Sequence, residues 1–291
     1  MNEPAVQASL LRKTFGNRAV LQDLDFEVRS GEVIGVLGNN GAGKTTLLEL
    51  MLGYSVPTSG QVRVFGADSG SLPGDIKRRI GFVPQQDELL SHLTVAEQLR
   101  LIASFYPEWD HELIDRLCNA WGVDPRARIK NMSVGERQKL SILLAFGHRP
   151  ELLILDEPVA SLDPMARRQF LEQLVELSAE GRRAVVFSSH IVSDIERLAS
   201  RIWILKEGRL IWSGDLESLK ESVSRLHIHG GATASTLEIP GLINQRTHAQ
   251  STIAVVRDWT PSEQRAFEER YAVKVERETL SLEEIFLELH R

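Results

Sequence analysis

The sequence has 291 residues, of which 42% are hydrophobic and 25% charged, and its formal net charge is −6. This length suits one large domain plus a small one, because single cores stop growing near ~250–300 residues. The composition excludes a disordered chain, and the negative charge argues against nucleic acid as a partner, since such partners favour basic surfaces.

Two further features limit where the protein works. No stretch approaches the ~18 consecutive apolar residues of a membrane span, and the N-terminus lacks a signal-peptide pattern, so we expect a cytosolic protein. Cys118 is the only cysteine, which excludes an internal disulfide. The helical spacing around Cys118 predicts a small buried residue.

Five short segments rich in apolar residues predict β-strands. They are residues 32–38, 61–66, 80–84, 152–156 and 184–189. Several are near-continuous runs of Val, Ile and Leu, which is typical of parallel strands covered on both faces. Helical patterns lie between many of them, and this alternation predicts an α/β fold.

The chain between the third and fourth of these strands has a different pattern. Residues 86–150 contain helical stretches such as TVAEQLRLIASFY and HELIDRLCNAWG without a convincing strand, and we predict a helical subdomain there. Farther along, residues 201–214 contain two apolar runs around Glu207 and Gly208, which indicates a hairpin.

A change of composition after about Arg225 suggests a domain boundary. The segment HGGATAS is rich in small residues, and beyond it come a strand-like run at 251–257, a polar helix at 261–271, a short run YAVKVER and a closing amphipathic helix, SLEEIFLELHR. We therefore predict a large domain at residues 1–225 and a small α/β domain at residues 226–291.

Residues 38–45, GNNGAGKT, fit the phosphate-loop pattern G-x-x-x-x-G-K-[ST] between a predicted strand and a helical pattern. Glycines let successive backbone N–H groups converge on phosphate oxygens, and the helix N-terminus adds a favourable dipole. We expect Lys44 to reach the β- and γ-phosphates and Thr45 to present its hydroxyl to Mg²⁺. The alternative is a glycine-rich turn without a ligand.

Two adjacent carboxylates, Asp156 and Glu157, follow the apolar run LLIL. Ionised side chains are seldom buried without a partner, and a Mg²⁺ ion at Thr45 would supply the positive charge. Asp156 is then a second protein contact of the metal, through water, and Glu157 can take a proton from an attacking water. The alternative reading makes Glu157 a solvated loop residue.

The order of these motifs resembles that of the nucleotide-binding subunits of ATP-binding cassette (ABC) transporters, over roughly residues 5–225. The resemblance implies an ATPase with ATP and Mg²⁺ as cofactors. It also implies a P-loop NTPase core with a parallel sheet, an antiparallel β subdomain and a helical subdomain, followed here by the small C-terminal α/β domain.

The resemblance assigns roles to individual residues. Phe15 stands where the family has an aromatic that stacks on adenine, and Gln85 matches the Q-loop glutamine, which joins Thr45 and Asp156 at the metal. Glu157 matches the catalytic glutamate, His190 the switch histidine and Asp163 the D-loop aspartate. The remaining nucleotide contacts are expected from the loop and the start of its helix: Gly38, Asn39, Asn40, Gly41, Ala42, Gly43, Lys44, Thr45 and Thr46. Read singly, Phe15 could be a core residue, Gln85 a loop amide and His190 a strand-end histidine.

One segment departs from the family pattern. Residues 132–136 read M-S-V-G-E where the family usually has L-S-G-G-Q, a segment that caps the γ-phosphate bound to the opposite subunit. Ser133 and Gly135 match. Val134 disfavours a positive φ, and Glu136 suits the first turn of a helix but would repel phosphate if it pointed inward. We therefore expect weaker ATP-driven self-association than the family pattern would allow.

The resemblance also implies partners. Two cassettes complete each ATP site, so we expect a second cassette, either a copy of this chain or a related paralogue, and separate transmembrane permease subunits. The permease contact is expected around residues 86–98, with the chain bound peripherally on the inner face of the membrane. The tail SLEEIFLEL resembles that of ATPase subunits from bacterial exporters, and dimer contact, regulation and simple core covering stay open as its role.

Two other functions compete with transport. A soluble cassette protein acting on ribosomes or DNA would usually carry two cassettes or long coiled coils, and this chain shows neither. A small-molecule kinase would share only the phosphate loop and would have no reason to carry the 133–135 segment and His190.

Overall fold

The computed structural model describes residues 3–179, 183–230, 237–248 and 251–291, which fall into two compact units. The first unit ends at Ser213 and the second begins at Gly214. The predicted boundary at residues 225 and 226 therefore comes later than the one observed. The reason is that residues 216–229 form a helix and a strand whose contacts lie within the second unit.

Six strands of the first unit form one sheet. They are β3 (Val33–Leu37), β6 (Ile80–Val83), β7 (Leu152–Leu155), β8 (Ala184–Ser188), β9 (Arg201–Lys206) and β10 (Arg209–Asp215). The strand order is β10-β9-β3-β8-β7-β6, and the pairs from β9 to β6 are parallel. The strands β7 and β8 are buried along their whole length, which confirms the prediction of parallel strands covered on both faces. The hairpin between β9 and β10 turns at Glu207 and Gly208, whose φ angles of 49° and 75° suit a two-residue hairpin turn.

A second sheet of the first unit is antiparallel and contains the remaining predicted strand. Its members are β1 (Val6–Phe15), β2 (Arg18–Val28), β4 (Ser59–Val64) and β5 (Ala67–Asp68), in the order β2-β1-β4-β5. The long strands β1 and β2 escape prediction because register shifts interrupt their pairing between Ala8 and Thr14, and a bulged strand loses its strict alternation of apolar and polar residues.

Seven α-helices and two short 3₁₀ turns complete the described part of the first unit. The α-helices are α1 (Lys44–Leu52), α2 (Gly74–Lys77), α3 (Val95–Ala103), α4 (His111–Trp121), α5 (Val134–Phe146), α6 (Pro164–Ala179) and α7 (Val192–Leu198). Residues 86–150, all of which are described, contain α3 to α5 and no strand, as predicted. Cys118 is buried on α4, and burial raises the pKa of its thiol to about 11, so the thiol is unreactive at neutral pH.

The second unit is a small α/β structure. Its elements are α8 (Leu216–Ser222), β11 (Val223–His229), β12 (Leu242–His248), β13 (Ser251–Arg257), α9 (Pro261–Tyr271), β14 (Lys274–Thr279) and α10 (Leu282–His290). The strands form an antiparallel sheet in the order β12-β13-β11-β14. Capping boxes start both predicted helices, with Thr260 and Glu263 at α9 and Ser281 and Glu284 at α10.

The two sheets of the first unit share one hydrophobic core with α1. Phe26 of β2 and Trp203 of β9, for example, pack with ring centroids 4.6 Å apart. In the parallel sheet, Leu155 of β7 lies in register with Phe187 of β8. The carboxyl ends of these strands therefore lie together at one edge of the sheet, where ligands of open α/β sheets bind.

Candidate active site

The predicted phosphate loop connects β3 to α1. Gly41 and Gly43 have φ angles of 81° and 107°, a region that L side chains rarely adopt. A Cβ atom on Gly43 would also lie 2.7 Å from a methyl carbon of Leu21, so glycine is required there for space as well. The side chains of Asn39 and Asn40 are exposed at the mouth of the loop, whereas Ala42 is buried below it.

Lys44 opens α1 and points its ammonium group into the loop. Its Nζ donates a hydrogen bond of 2.8 Å to the carbonyl oxygen of Gly38 and lies 3.8 Å from Oε1 of Glu157. The side chain is 8% exposed, so the charge is held at a fixed place beside the loop. The next two residues differ in position: Thr45 is exposed at the site and Thr46 is half-buried on α1.

Asp156 lies directly after β7 and is 2% exposed. Each of its carboxylate oxygens accepts a hydrogen bond from a hydroxyl: Thr45 Oγ1 lies 2.7 Å from Oδ2, and Ser188 Oγ lies 2.6 Å from Oδ1. These neutral donors orient Asp156 without neutralising its charge. The buried carboxylate is therefore suited to a cation next to Thr45.

Glu157 is also buried, at 7% exposure, which excludes the interpretation as a solvated loop residue. Its backbone adopts a positive φ of 49°, and its N–H donates to Ser188 Oγ at 2.8 Å. Its Oε2 atom lies 2.7 Å from Nδ1 of His190 and accepts a second hydrogen bond, of 3.2 Å, from the His190 N–H. The carboxylate is thus held between His190 and Lys44.

A cavity of about 240 Å³ opens beside these groups and is lined by Thr45, Gln85 and Asp156 among others. A hydroxyl, an amide and a carboxylate are oxygen ligands of the kind that Mg²⁺ prefers. The Thr45 and Asp156 oxygens already lie 2.7 Å apart, and Gln85 is exposed toward solvent, so the set fits a magnesium ion that keeps water ligands.

Phe15 ends β1 and is 52% exposed, which excludes the interpretation as a core residue. Lys13 Nζ lies over its ring, 4.8 Å from the centroid. Phe15 is the register partner of Arg18 across the hairpin turn, and a guanidinium nitrogen of Arg18 lies 3.9 Å from the point where Gly41 would carry a Cβ. The turn therefore brings an open aromatic ring and a cation to the entrance of the phosphate loop.

The segment at 133–136 forms the start of α5. Ser133 is the N-cap and Glu136 completes a capping box: its carboxylate accepts from the Ser133 N–H and hydroxyl, both at 2.8 Å. These hydrogen bonds lower the pKa of Glu136. Val134 is the first helical residue and has no positive φ, so the conformational conflict considered from the sequence does not arise. Gly135 packs so closely on the Ser161 carbonyl that a Cβ atom would lie 2.9 Å from it.

Asp163 caps the start of α6 and does not contact the site directly. Its Oδ1 accepts hydrogen bonds of 2.9 Å from the N–H groups of Met165 and Ala166, which lower its pKa. A separate ion pair joins the chain segment after Gln85 to α5, because Arg137 of α5 donates to Asp87 at 3.0 Å. Arg137 also donates to the Met132 carbonyl at 2.7 Å.

Comparison with known proteins agrees with this geometry. The family model for ABC transporters matches residues 21–160. The Nod factor export ATP-binding protein I of Rhizobium sp. (strain N33) is 30% identical over an alignment of 298 positions, and the match covers 99% of this chain and 98% of that protein.

The chain belongs to the ABC transporter family. It is an ATP-binding, ATP-hydrolysing subunit of a transporter. These matches do not favour the soluble cassette protein or the kinase. Among the described residues, no helix is long and apolar enough to cross a membrane.

Solved structures of ABC cassettes have the same fold. An ATP-binding subunit of an ABC transporter has a TM-score of 0.69 and 30% identity, and the match covers 75% of this chain and 92% of that one. A dimeric, post-hydrolysis cassette bound to ADP and Pi has a TM-score of 0.65 at 24% identity, over 72% of this chain and 98% of that one.

Sequence reasoning missed three polar residues at the site of this ABC subunit. Ser188 bonds to the Asp156 carboxylate and to the backbone N–H of Glu157. Arg137 and Asp87 join the chain segment after Gln85 to the start of α5. Ser188 lies within the predicted strand at 184–189, but its bond to Asp156 depends on that strand lying beside β7, which no local pattern indicates. The ion pair has no local signal either, since its members are far apart in the chain.

Proposed function

We propose that this chain is the ATPase subunit of a bacterial exporter and is bound peripherally to the inner face of the membrane by its transmembrane partners. Export is supported by the Nod factor export protein, to which the chain is similar over nearly the whole length of both proteins. Peripheral attachment is proposed because separate subunits of such transporters cross the membrane and the ATPase subunit binds to them.

Glu157 is the proposed general base for the attacking water. The observation that carries this proposal is the position of its carboxylate, 3.8 Å from Lys44 Nζ on one side and 2.7 Å from His190 Nδ1 on the other. A positioned carboxylate contributes a typical factor of ~10²–10⁴ to a proton-transfer step. His190 orients it, and Lys44 offsets its charge and contacts the β- and γ-phosphates.

Mg²⁺ is the proposed metal, held by Thr45, Asp156 and Gln85. When bound, the ion neutralises charge that develops on the phosphate oxygens. The Thr45 hydroxyl would turn from Asp156 to the ion, while the hydroxyl of Ser188 would continue to hold the opposite oxygen of Asp156. Gln85, which also lines the cavity, would complete the set.

ATP is proposed to lie between Phe15 and the loop residues 38–46, with adenine stacked on the open face of the Phe15 ring. Residues 133–136 are proposed to face the nucleotide of a second cassette, with Asp163 near the same contact. A dimeric arrangement is supported by the solved cassette bound to ADP and Pi, which has the same fold. Val134 and Met165 are exposed apolar residues that such a partner would cover.

The transmembrane subunits are proposed to dock in a groove of about 420 Å³ beside the segment that follows Gln85. Apolar side chains of Phe82, Leu89 and Ile102 line the groove, and the phenol of Tyr54 lies at its rim with 67% exposure. A cytoplasmic segment of the permease that presents apolar side chains fits this lining.

Copurification with coexpressed transmembrane subunits of the transporter tests the docking proposal. Leu89→Arg places a charge in the groove and should abolish copurification, whereas Val175→Arg, a charge on the exposed face of α6, should leave it unchanged. ATP affinity of each isolated variant reports whether the fold is intact. Normal copurification of the Leu89→Arg variant would exclude this groove as the docking surface.

A further inference from the structure

Ser188 is the last residue of β8 and is completely buried. The preceding residue, Phe187, lies in register with Leu155 of β7. Parallel pairing therefore brings Ser188 beside Asp156 at the carboxyl edge of the sheet. A polar side chain at this depth needs partners for its hydroxyl.

The hydroxyl of Ser188 forms hydrogen bonds with both acidic residues of the site, Asp156 and Glu157. It donates its single proton to Oδ1 of Asp156 at 2.6 Å and accepts the N–H of Glu157 at 2.8 Å. Thr45 holds the other oxygen of Asp156 at 2.7 Å. Both oxygens of the Asp156 carboxylate are therefore held by hydroxyl groups. Of these two hydroxyls, that of Ser188 also bonds to Glu157.

The contact with Ser188 stabilises an unusual backbone conformation of Glu157. Its φ of 49° is a conformation that residues other than glycine rarely adopt, and such conformations persist only where surrounding contacts enforce them. The hydrogen bond from its N–H to Ser188 is one of these contacts. At this turn, the Glu157 carboxylate lies 2.7 Å from Nδ1 of His190.

We propose that Ser188 is a positioning residue for ATP hydrolysis, setting the Asp156 carboxylate for the metal and the Glu157 carboxylate for the attacking water through one hydroxyl. This inference rests on the proposed roles of Asp156 and Glu157. It predicts that loss of the hydroxyl lowers kcat while the KM for ATP changes little, because the phosphate loop and Phe15 are untouched.

Four variants test this role. Ser188→Ala removes the hydroxyl, and the pair Ser188→Thr and Ser188→Val compares side chains of equal size that differ in the hydroxyl. Ser189→Ala is the matched control, because Ser189 is also buried. Among the described residues its hydroxyl bonds only to Ile191, accepting from its N–H at 3.0 Å and donating to its carbonyl at 3.3 Å.

We expect kcat of Ser188→Ala to fall by ~10- to 100-fold, since a misplacement of about 1 Å can cost ~10²-fold. Ser188→Thr should retain at least about ten times the kcat of Ser188→Val, and Ser189→Ala should stay within threefold of the parent protein. A second readout is Mn²⁺ binding to the ATP complex of Ser188→Ala in the Glu157→Gln background, measured by electron paramagnetic resonance. It should weaken severalfold although hydrolysis is already blocked.

The outcomes separate this inference from the proposed function. If Ser188→Ala, or the folded fraction of it, turns over ATP within threefold of the parent, or if Thr and Val variants have equal kcat, Ser188 only supports the fold and the inference is wrong. If Glu157→Gln itself hydrolyses ATP normally, the proposed role of Glu157 fails first.

Discussion

The Nδ1 atom of His190 lies 2.7 Å from Oε2 of Glu157. An ionised carboxylate can only accept hydrogen bonds, so the ring proton must lie on Nδ1 when Glu157 is charged. The carboxylate is 7% exposed, and its charge is further offset by Lys44 Nζ at 3.8 Å. This pairing explains how Glu157 is buried next to Asp156 at the end of an apolar strand.

Lys44→Ala should weaken ATP binding. The substitution removes a charge-assisted contact to phosphate, and hydrogen bonds to charged groups contribute roughly 1.5–3 kcal/mol, so the dissociation constant should rise by ~10- to 150-fold. Equilibrium binding of ATP without hydrolysis measures the effect. Lys274→Ala, an exposed substitution in the second unit, is the control. Unchanged affinity for ATP in the Lys44 variant would count against the phosphate-loop assignment.

Phe15→Ala should weaken ATP binding without loss of stability. Stacking on a base contributes ~1–3 kcal/mol, so we expect the dissociation constant to rise by ~5- to 150-fold. The ring is 52% exposed, which leaves little core packing to lose. Phe105→Ala removes an even more exposed ring and should change neither quantity. A lower melting temperature with unchanged affinity would assign Phe15 to the fold.

Glu136→Gln should strengthen ATP-dependent dimerisation. The Ser133 hydroxyl now donates to the Glu136 carboxylate at 2.8 Å and must leave it to reach a phosphate of the partner cassette. A neutral amide competes less for this proton, by roughly 1 kcal/mol, which is about fivefold per site. Sedimentation with Mg-ATP in a Glu157→Gln background measures the change.

Val134→Gly is the comparison for this experiment. Val134 has no positive φ and is the first residue of α5, so glycine relieves no strain there and should not tighten the dimer. Equal association of the Glu136→Gln and parent chains would show that the capping box is compatible with a closed dimer as it stands.

His148→Gln should reduce sensitivity to acid. Burial lowers the pKa of His148 from 6.5 to about 4, so the folded protein keeps the ring neutral while the unfolded chain binds a proton below pH 6.5. Stability is therefore lost as pH falls from 6.5 toward 4, by about 1.4 kcal/mol per pH unit for this group. Glutamine can still donate to the Ile80 carbonyl, which lies 3.1 Å from Nε2.

Melting temperatures at pH 7 and pH 5 test this expectation. The parent should lose more stability than His148→Gln, by up to about 2 kcal/mol over this interval. His111→Gln, which changes an exposed histidine of α4, should behave like the parent. An identical loss in the parent and the His148 variant would show that this histidine does not cause the acid sensitivity.

Local motifs made much of this site predictable. The phosphate loop and the Asp156–Glu157 pair lie in short segments with fixed spacing. The run of four apolar residues before Asp156 predicts directly that the strand leading to this pair is buried. Ser188 lacked such a local signal because its role depends on β8 lying next to β7. The Asp87–Arg137 ion pair depends on α5 returning to the loop after Gln85, which only the three-dimensional structure shows.

The limits of fold prediction have similar causes. Bulges obscured β1 and β2, because each register shift moves side chains to the other face of the strand. The domain boundary was predicted too late because β11, a strand with the polar residues Arg225 and His227, pairs on both sides within the second unit.

The most direct test of the proposed mechanism is the rate of ATP hydrolysis by Glu157→Gln, measured with its affinity for ATP. The amide keeps the size of the side chain and can still hydrogen-bond to His190, but it cannot accept a proton from water. We expect ATP binding within threefold of the parent and hydrolysis slower by ~10²–10⁴-fold. Turnover within threefold of the parent would contradict the assignment of Glu157 as the general base.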